Sequence, residues 1–148
     1  MLSARAKYGI KAMVYLVERE GLGGVQGAAI AESQNIPKKF LDSILLELKN
    51  SGLLHSKKGK GGGYTLAVPA ARISVGRIVR ILDGPLALIP CVSQTAYRPC
   101  TDCKDEATCE VHFIMQKVRD ATAEILDATT LQSLVAAGGR KVLLSYDI

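Results

Sequence analysis

Leu41, Ile44, Leu45 and Leu48 recur at i, i+3, i+4 and i+7 between two turn signals, Asn35-Ile36-Pro37 and Asn50-Ser51-Gly52. That spacing puts four aliphatic side chains on one face of an α-helix, and a strand would scatter them over both faces. The segment is therefore predicted to be an amphipathic helix that lays its stripe, widened by Phe40, on a core. Pro37 sits in its first turn, and Pro37, Lys38, Lys39 and Asp42 point outward. The residues on either side restrict the fold further. A short helix is expected over about 26–34, where Ala28, Ala29 and Ala31 allow close packing. Two short runs, 53–57 and 63–68, are joined by Gly59, Gly61, Gly62 and Gly63 with Lys57, Lys58 and Lys60, the pattern of a hairpin with a glycine- and lysine-rich tip. Short helix, turn, longer helix and basic hairpin together make a winged helix-turn-helix. An earlier helix over about 4–19, with Ile10, Met13, Val14 and Val17, and a later one capped by Ser74, with Val75, Ile78, Val79 and Leu82, complete the unit. Asp83-Gly84-Pro85 then breaks the chain direction.

The charge distribution points the same way. Net charge is +5 over 148 residues. From Lys38 to Arg80 there are nine basic residues and two acidic ones. From Leu82 onward there are six basic and nine acidic. The basic excess falls on the presumptive second helix and hairpin tip, where it can meet an anion. Lys38 and Lys39 suit phosphates or guanine edges, and Asp42 can accept from a cytosine amino group. The tip Lys57-Lys58-Gly59-Lys60 can approach phosphates or a narrow minor groove, and His55 on the first wing strand is either structural or a further phosphate contact. No run approaches the ~18 apolar residues of a membrane span, and no secretory leader pattern stands at the start, so the chain is expected to be cytoplasmic.

All four cysteines fall within nineteen residues: Cys91, Cys100, Cys103 and Cys109, with His112 three residues further on. A cytosolic chain of this size has no need of disulfides, so the cluster reads as a metal site. Thiolates with an occasional histidine hold iron–sulfur clusters. Zinc takes the same donors, although only Cys100 and Cys103 form a CxxC pair. On a helix, Cys109 and His112 would share a face. The helix that follows, about 109–127, spaces Val111, Ile114, Val118, Ala121 and Ile125 alternately by three and four, a heptad seam suited to pairing with a second copy. A short final helix is expected over about 130–137.

The chain is thus expected to be mostly α with a small β wing. It divides into a winged helix-turn-helix domain (1–83), a cysteine-rich loop (84–108), a dimerisation helix with a short final helix (109–137) and a tail (138–148). No nucleophile–base pair, Walker loop or dinucleotide fingerprint points to an enzyme or to a small-molecule substrate. A redox or electron-transfer role would leave the basic helix and wing without a purpose.

The whole chain, from Ser3 to about Leu134, resembles the Rrf2 family of bacterial regulators, the iron–sulfur winged-helix repressors of IscR, NsrR and RirA type. The resemblance is carried by Ala6-Lys7-Tyr8-Gly9-Ile10-Lys11-Ala12-Met13, by Lys58-Gly59-Lys60-Gly61-Gly62-Gly63-Tyr64, by Ile73-Ser74-Val75-Gly76 and by the cysteine loop. It implies a homodimer crossed by the long helix, two winged domains on the double-stranded DNA of a palindromic operator, and a 2Fe–2S or 4Fe–4S cluster near the dimer interface. By position, Asp42 matches an acidic base-reading residue, and Lys58 matches a wing arginine of the minor groove, where lysine lacks the planar fork. Cys91, Cys103 and Cys109 match cluster ligands, and His112 matches the histidine ligand of the IscR branch. Two departures stand out. The stretch from Cys91 to Cys103 is longer than usual and contains the extra Cys100. No carboxylate precedes Glu18, where some relatives place a ligand from the other subunit. The expected ligands are therefore local: Cys91, Cys103 and Cys109, with Cys100 or His112 as the fourth. Structural zinc or plain thiol sensing is the alternative.

Overall fold

The computed structural model describes residues 2–138. Of the expected tail, 138–148, all but Gly138 lies outside the described residues. The chain runs α1 (Ala4–Glu18), α2 (Gly27–Gln34), α3 (Lys38–Asn50), β1 (Leu54–Lys57), β2 (Gly63–Leu66), α4 (Val75–Asp83), α5 (Glu110–Ala128) and α6 (Leu131–Gly138). Short 3-10 turns occupy Ala70–Arg72, Pro90–Val92 and Glu106–Thr108. The fold is a winged helix-turn-helix followed by a long helix, mostly α with one small antiparallel sheet.

Local chemistry sets the helix ends. Ser3 and Ser74 cap α1 and α4, each accepting a backbone N–H through its hydroxyl. Pro37 stands one residue before the first turn of α3, as its cap residue, rather than inside it. The turn between α2 and α3 needs Asn35 in the left-handed region (φ 53°), a conformation asparagine tolerates. It also needs the Ile36 N–H to donate to the Ala31 carbonyl at 2.9 Å.

Leu41, Ile44, Leu45 and Leu48 are fully buried, with Met13, Ile30, Leu53, Ile73 and Ile78 around them. Truncating one of these aliphatics costs about 2–5 kcal/mol, so this core holds the helix-turn-helix to α1 and α4. Phe40 does not extend the stripe. It is 37% exposed and packs edge-to-face on Tyr8, ring centroids 5.7 Å apart. Of the three α2 alanines, Ala31 is buried in the core. Ala28 and Ala29 are exposed, and Gly27, also buried, faces Leu45 and Asp42 of α3.

β1 and β2 pair in register from Leu54 opposite Leu66 to Lys57 opposite Gly63. The base of the wing is tied to the α1–α2 connection: Val25 and Tyr64 exchange backbone hydrogen bonds at 3.0 and 2.8 Å. The Gln26 amide donates to the Gly62 carbonyl at 3.1 Å. Gly63 combines φ +122° with a backbone contact in which a Cβ would lie 2.5 Å from the Val25 carbonyl carbon, so only glycine fits there.

α6 turns back onto the winged domain. Leu131 is fully buried in its core, and its N–H donates to the Ile73 carbonyl at 2.9 Å. A second tie joins α5 to α4: the Arg80 guanidinium forks onto both Asp127 carboxylate oxygens at 2.5 and 2.9 Å. The hydrogen bond from Arg80 holds the Asp127 carboxyl below its ordinary range. The pair is therefore intact at neutral pH and is lost only as acid protonates Asp127 below the unfolded-state value.

Candidate functional site

Pro37, Lys38, Lys39 and Asp42 are all exposed at the start of α3, opposite its buried stripe. Lys38 and Asp42 are not independent. The ammonium donates to the carboxylate at 2.6 Å across one helical turn, with both side chains half exposed. Exposed pairs of this kind are worth about 0–1 kcal/mol, so either member can be released to a better partner at little cost. The Arg5 guanidinium pairs with Glu47 and donates to the Ser43 hydroxyl at 3.1 Å, fixing α3 against α1. Lys57, Lys58, Gly59 and Lys60 are exposed at the wing tip. The tip is closed by the Gly62 N–H donating to the Gly59 carbonyl at 3.0 Å, with Gly59 at φ +93°. His55 is exposed on β1.

The second feature is a cavity of about 380 Å³ at the start of α5, lined by Cys91, Cys100, Cys103, Cys109 and His112 together. All four cysteines are free thiols. Cys91 is buried in the Pro90–Val92 turn. Cys109 is the cap residue of α5, its sulfur accepting the His112 backbone N–H at 3.4 Å. Cys109 thus stands just before the helix rather than in it, which still brings it to the cavity with His112. Cys103 is half-buried, and desolvation followed by the hydrogen bond to Cys109 pushes its thiol up. Cys100 is exposed and donates to the Asp102 carboxylate at 2.6 Å, which raises the thiol and lowers the carboxyl. The Tyr97 hydroxyl donates to Glu106 at 2.6 Å and closes the loop on itself.

His112 Nδ1 is buried and has no hydrogen-bond partner. A buried polar atom without a partner costs roughly 1–3 kcal/mol, and such atoms call for a reason. His112 is also one of the residues that line the cysteine cavity. Among the described residues, no three His, Cys, Asp or Glu side chains converge closely enough to hold a single ion. The donors instead surround a volume. Thiolates joined by a histidine are donors that suit an iron–sulfur cluster and zinc alike.

The third feature is the outer face of α5, which contains no buried residue. Val111, Ile114 and Ile125 are 57%, 48% and 66% exposed, Ala121 is exposed and Val118 half-buried.

Comparison with known proteins decides the family. The model of the Rrf2 family, described as iron-dependent transcriptional regulators, matches residues 2–137. This chain belongs to the Rrf2 family. An Rrf2-like HTH-type transcriptional regulator of Rhodobacter capsulatus is 35% identical over 99% of this chain and 100% of its own length. The structure of CymR, the global cysteine regulator of Bacillus subtilis, superposes with a TM-score of 0.76 at 30% identity, covering 93% of this chain and 97% of that one. IscR of T. potens superposes with a TM-score of 0.75 at 28% identity over 93% of this chain and 88% of that one.

As an Rrf2 protein the chain is a DNA-binding transcription regulator of helix-turn-helix type and not an enzyme. Among the described residues no helix is long and apolar enough to cross a membrane. Three ties went unseen in the sequence: Arg80 with Asp127, Arg5 with Glu47, and Arg119, which donates to the Val92 carbonyl at 2.6 Å. Each joins residues far apart in the chain, and no local spacing signals them.

Proposed function

We propose that this Rrf2 protein is a cytoplasmic homodimer that reads a palindromic operator and senses iron, redox state or nitric oxide through a 2Fe–2S or 4Fe–4S cluster. Residues 1–83 form the reading unit, 84–108 the cluster loop and 109–137 the dimerisation segment. Cys91, Cys103 and Cys109 hold the cluster with His112 as the fourth ligand. Cys100 is set aside because it is exposed and already bonded to Asp102. The observation that carries this reading is the gathering of four thiols and His112 around one cavity. When bound, the cluster supplies a centre that oxidants or nitric oxide can alter. The chain's own part is to order residues 90–109 beside α5 and so set the distance between two recognition helices. Half-sites about one helical turn, ~34 Å, apart make operator fit sensitive to that distance.

The test is isolation without oxygen. The expected result is a brown protein with iron and acid-labile sulfide in equal amounts. Colourless protein with stoichiometric zinc, or with no metal, would overturn the cluster reading. A second reading is favoured by Cys103 and Cys109 lining one cavity as free thiols and by the likeness to CymR. In it, hydrogen peroxide oxidises this pair to a disulfide with release of two waters, and no cluster is needed.

DNA contact by the wing has its own readout. Lys57→Ala, Lys58→Ala and Lys60→Ala together are expected to lower the slope of log affinity against log salt by about 1 per lost phosphate contact. Binding measured from low to moderate salt checks this, and an unchanged slope would remove the wing from the interface.

A further inference from the structure

Arg119 lies midway along α5, yet its side chain is only 14% exposed. Its Nη1 donates to the carbonyl of Val92 at 2.6 Å, twenty-seven residues earlier in the chain. Its Nε donates to the adjacent Asp120 carboxylate at 2.8 Å, which fixes the plane of the guanidinium. Val92 is 2% exposed and follows Cys91 in the same 3-10 turn, so the carbonyl that Arg119 holds belongs to the turn that presents the first cysteine. Few other bonds keep that turn in place: Val92 N–H to Ile89, and Ser93 and Arg98 N–H to Pro90, all at 3.2–3.3 Å and all local. Arg119 is thus a cross-chain hydrogen bond between the cysteine turn and the helix.

Two turns further along the same helix, Asp127 takes the fork of Arg80 on α4. This contact is close-fitting. A Cβ on Gly76, one turn before Arg80, would lie 2.0 Å from Asp127 Oδ1, so the bare glycine backbone lets the carboxylate seat against α4. α5 therefore carries one charged anchor to the cysteine loop and one to the winged domain, and it buries no residue of its own otherwise.

We propose that Arg119 is the positioning residue that fastens the Cys91 turn to α5, and that the Arg80–Asp127 fork passes the resulting position of α5 to the winged domain. The inference rests on the reading of the cysteine cavity as the sensor. It assigns that sensor a physical route to the reading heads. A shift of the Cys91 turn then moves α5 through the Val92–Arg119 bond, while Asp127 holds the helix to the winged domain. A guanidinium suits this role because it is always charged and holds a carbonyl and a carboxylate in one plane, which a lysine cannot do.

Two measurements on the full-length protein test the route. The first is amide exchange in Arg119→Met and Arg119→Lys, without a cluster. Exchange at Val92, Ser93 and Arg98 should speed up at least about tenfold in Arg119→Met and less in Arg119→Lys, while the β1–β2 amides stay as in the wild type. Unchanged exchange at those three amides would overturn the fastening role, whatever the DNA results. The second is the ratio of duplex affinities between cluster-bound and cluster-free protein, measured in the wild type, Arg119→Met and Asp127→Asn. Couplings of this kind are typically about 5–150-fold. Both variants should keep the wild-type iron content and reduce the ratio to within about threefold, and the double variant should go no further, because the two anchors lie on one route. A full wild-type ratio in either variant would overturn the relay. A wild-type ratio of one, with fast exchange in Arg119→Met, would instead sink the sensing assignment and with it the relay, leaving the fastening role standing.

Discussion

Ile114→Glu with Ile125→Glu is expected to turn the protein into a monomer and to weaken its binding to a full palindromic duplex by at least about a hundredfold, because tethering two reading heads gains roughly 10²–10⁴ in avidity. The physical ground is the outer face of α5. Ile114 and Ile125 are 48% and 66% exposed, Val111 is 57% exposed, and Phe113, which also stands out at 59%, has only the Lys117 ammonium over its ring at 4.4 Å. Aliphatic side chains at heptad spacing that no segment among the described residues covers call for a partner helix. A carboxylate in such a seam must be desolvated without a counter-charge, which is costly enough to dissociate two helices. The core of the winged domain does not include either isoleucine, so each head should stay folded and keep its affinity for a single half-site. Sedimentation and binding to whole and half operators, selected from a random duplex pool, check this. A double variant that still sediments as a dimer would place the interface elsewhere.

Cys103→Ser or Cys109→Ser is expected to leave the fold intact and to lower iron content at least about tenfold, the usual scale for losing a ligand or its support. Neither residue is in the hydrophobic core, so thermal midpoints should move by only a few degrees. Cys100→Ser is expected to behave differently. The Cys100 thiol is exposed and turned to Asp102, and replacing it should leave iron content near that of the wild type. His112→Ala should fall with the first group, since its Nδ1 is the buried atom that lacks a protein partner. Iron analysis of the four variants, prepared side by side without oxygen, separates His112 from Cys100 as the fourth ligand. Loss of iron in Cys100→Ser, with retention in His112→Ala, would reverse the assignment.

The reading unit was legible because its determinants are local. A stripe at 41, 44, 45 and 48 forces a helix with one buried face, Ser74 and Asp83-Gly84-Pro85 bracket another, and glycines with lysines leave a hairpin tip nowhere to go but into solvent. The errors there are small and instructive. Phe40 is apolar and adjacent to the stripe, yet it packs on Tyr8 at the rim, because a helix face is wider than its core contact. In α2, alanine content suggested close approach, but only Ala31 of the three reaches the core, while Ala28 and Ala29 face outward, because a helix this short buries one face. The cysteine loop was legible as a group of donors, and its shape was not, since its geometry comes from tertiary ties such as Tyr97 with Glu106 and Arg119 with Val92. The same holds for α6. Its helical pattern could be read, but that Leu131 seals the core beneath α1 depends on the chain folding back, which no spacing encodes.

The decisive property of this protein is whether a group held in the cysteine cavity governs DNA binding. The direct measurement is the affinity of the dimer for one selected operator, at one salt concentration, with the cluster present and after its anaerobic removal. A change of at least about fivefold between the two states is expected, the lower end of typical allosteric coupling. Equal affinities in a protein shown to carry and then lose its iron would contradict it.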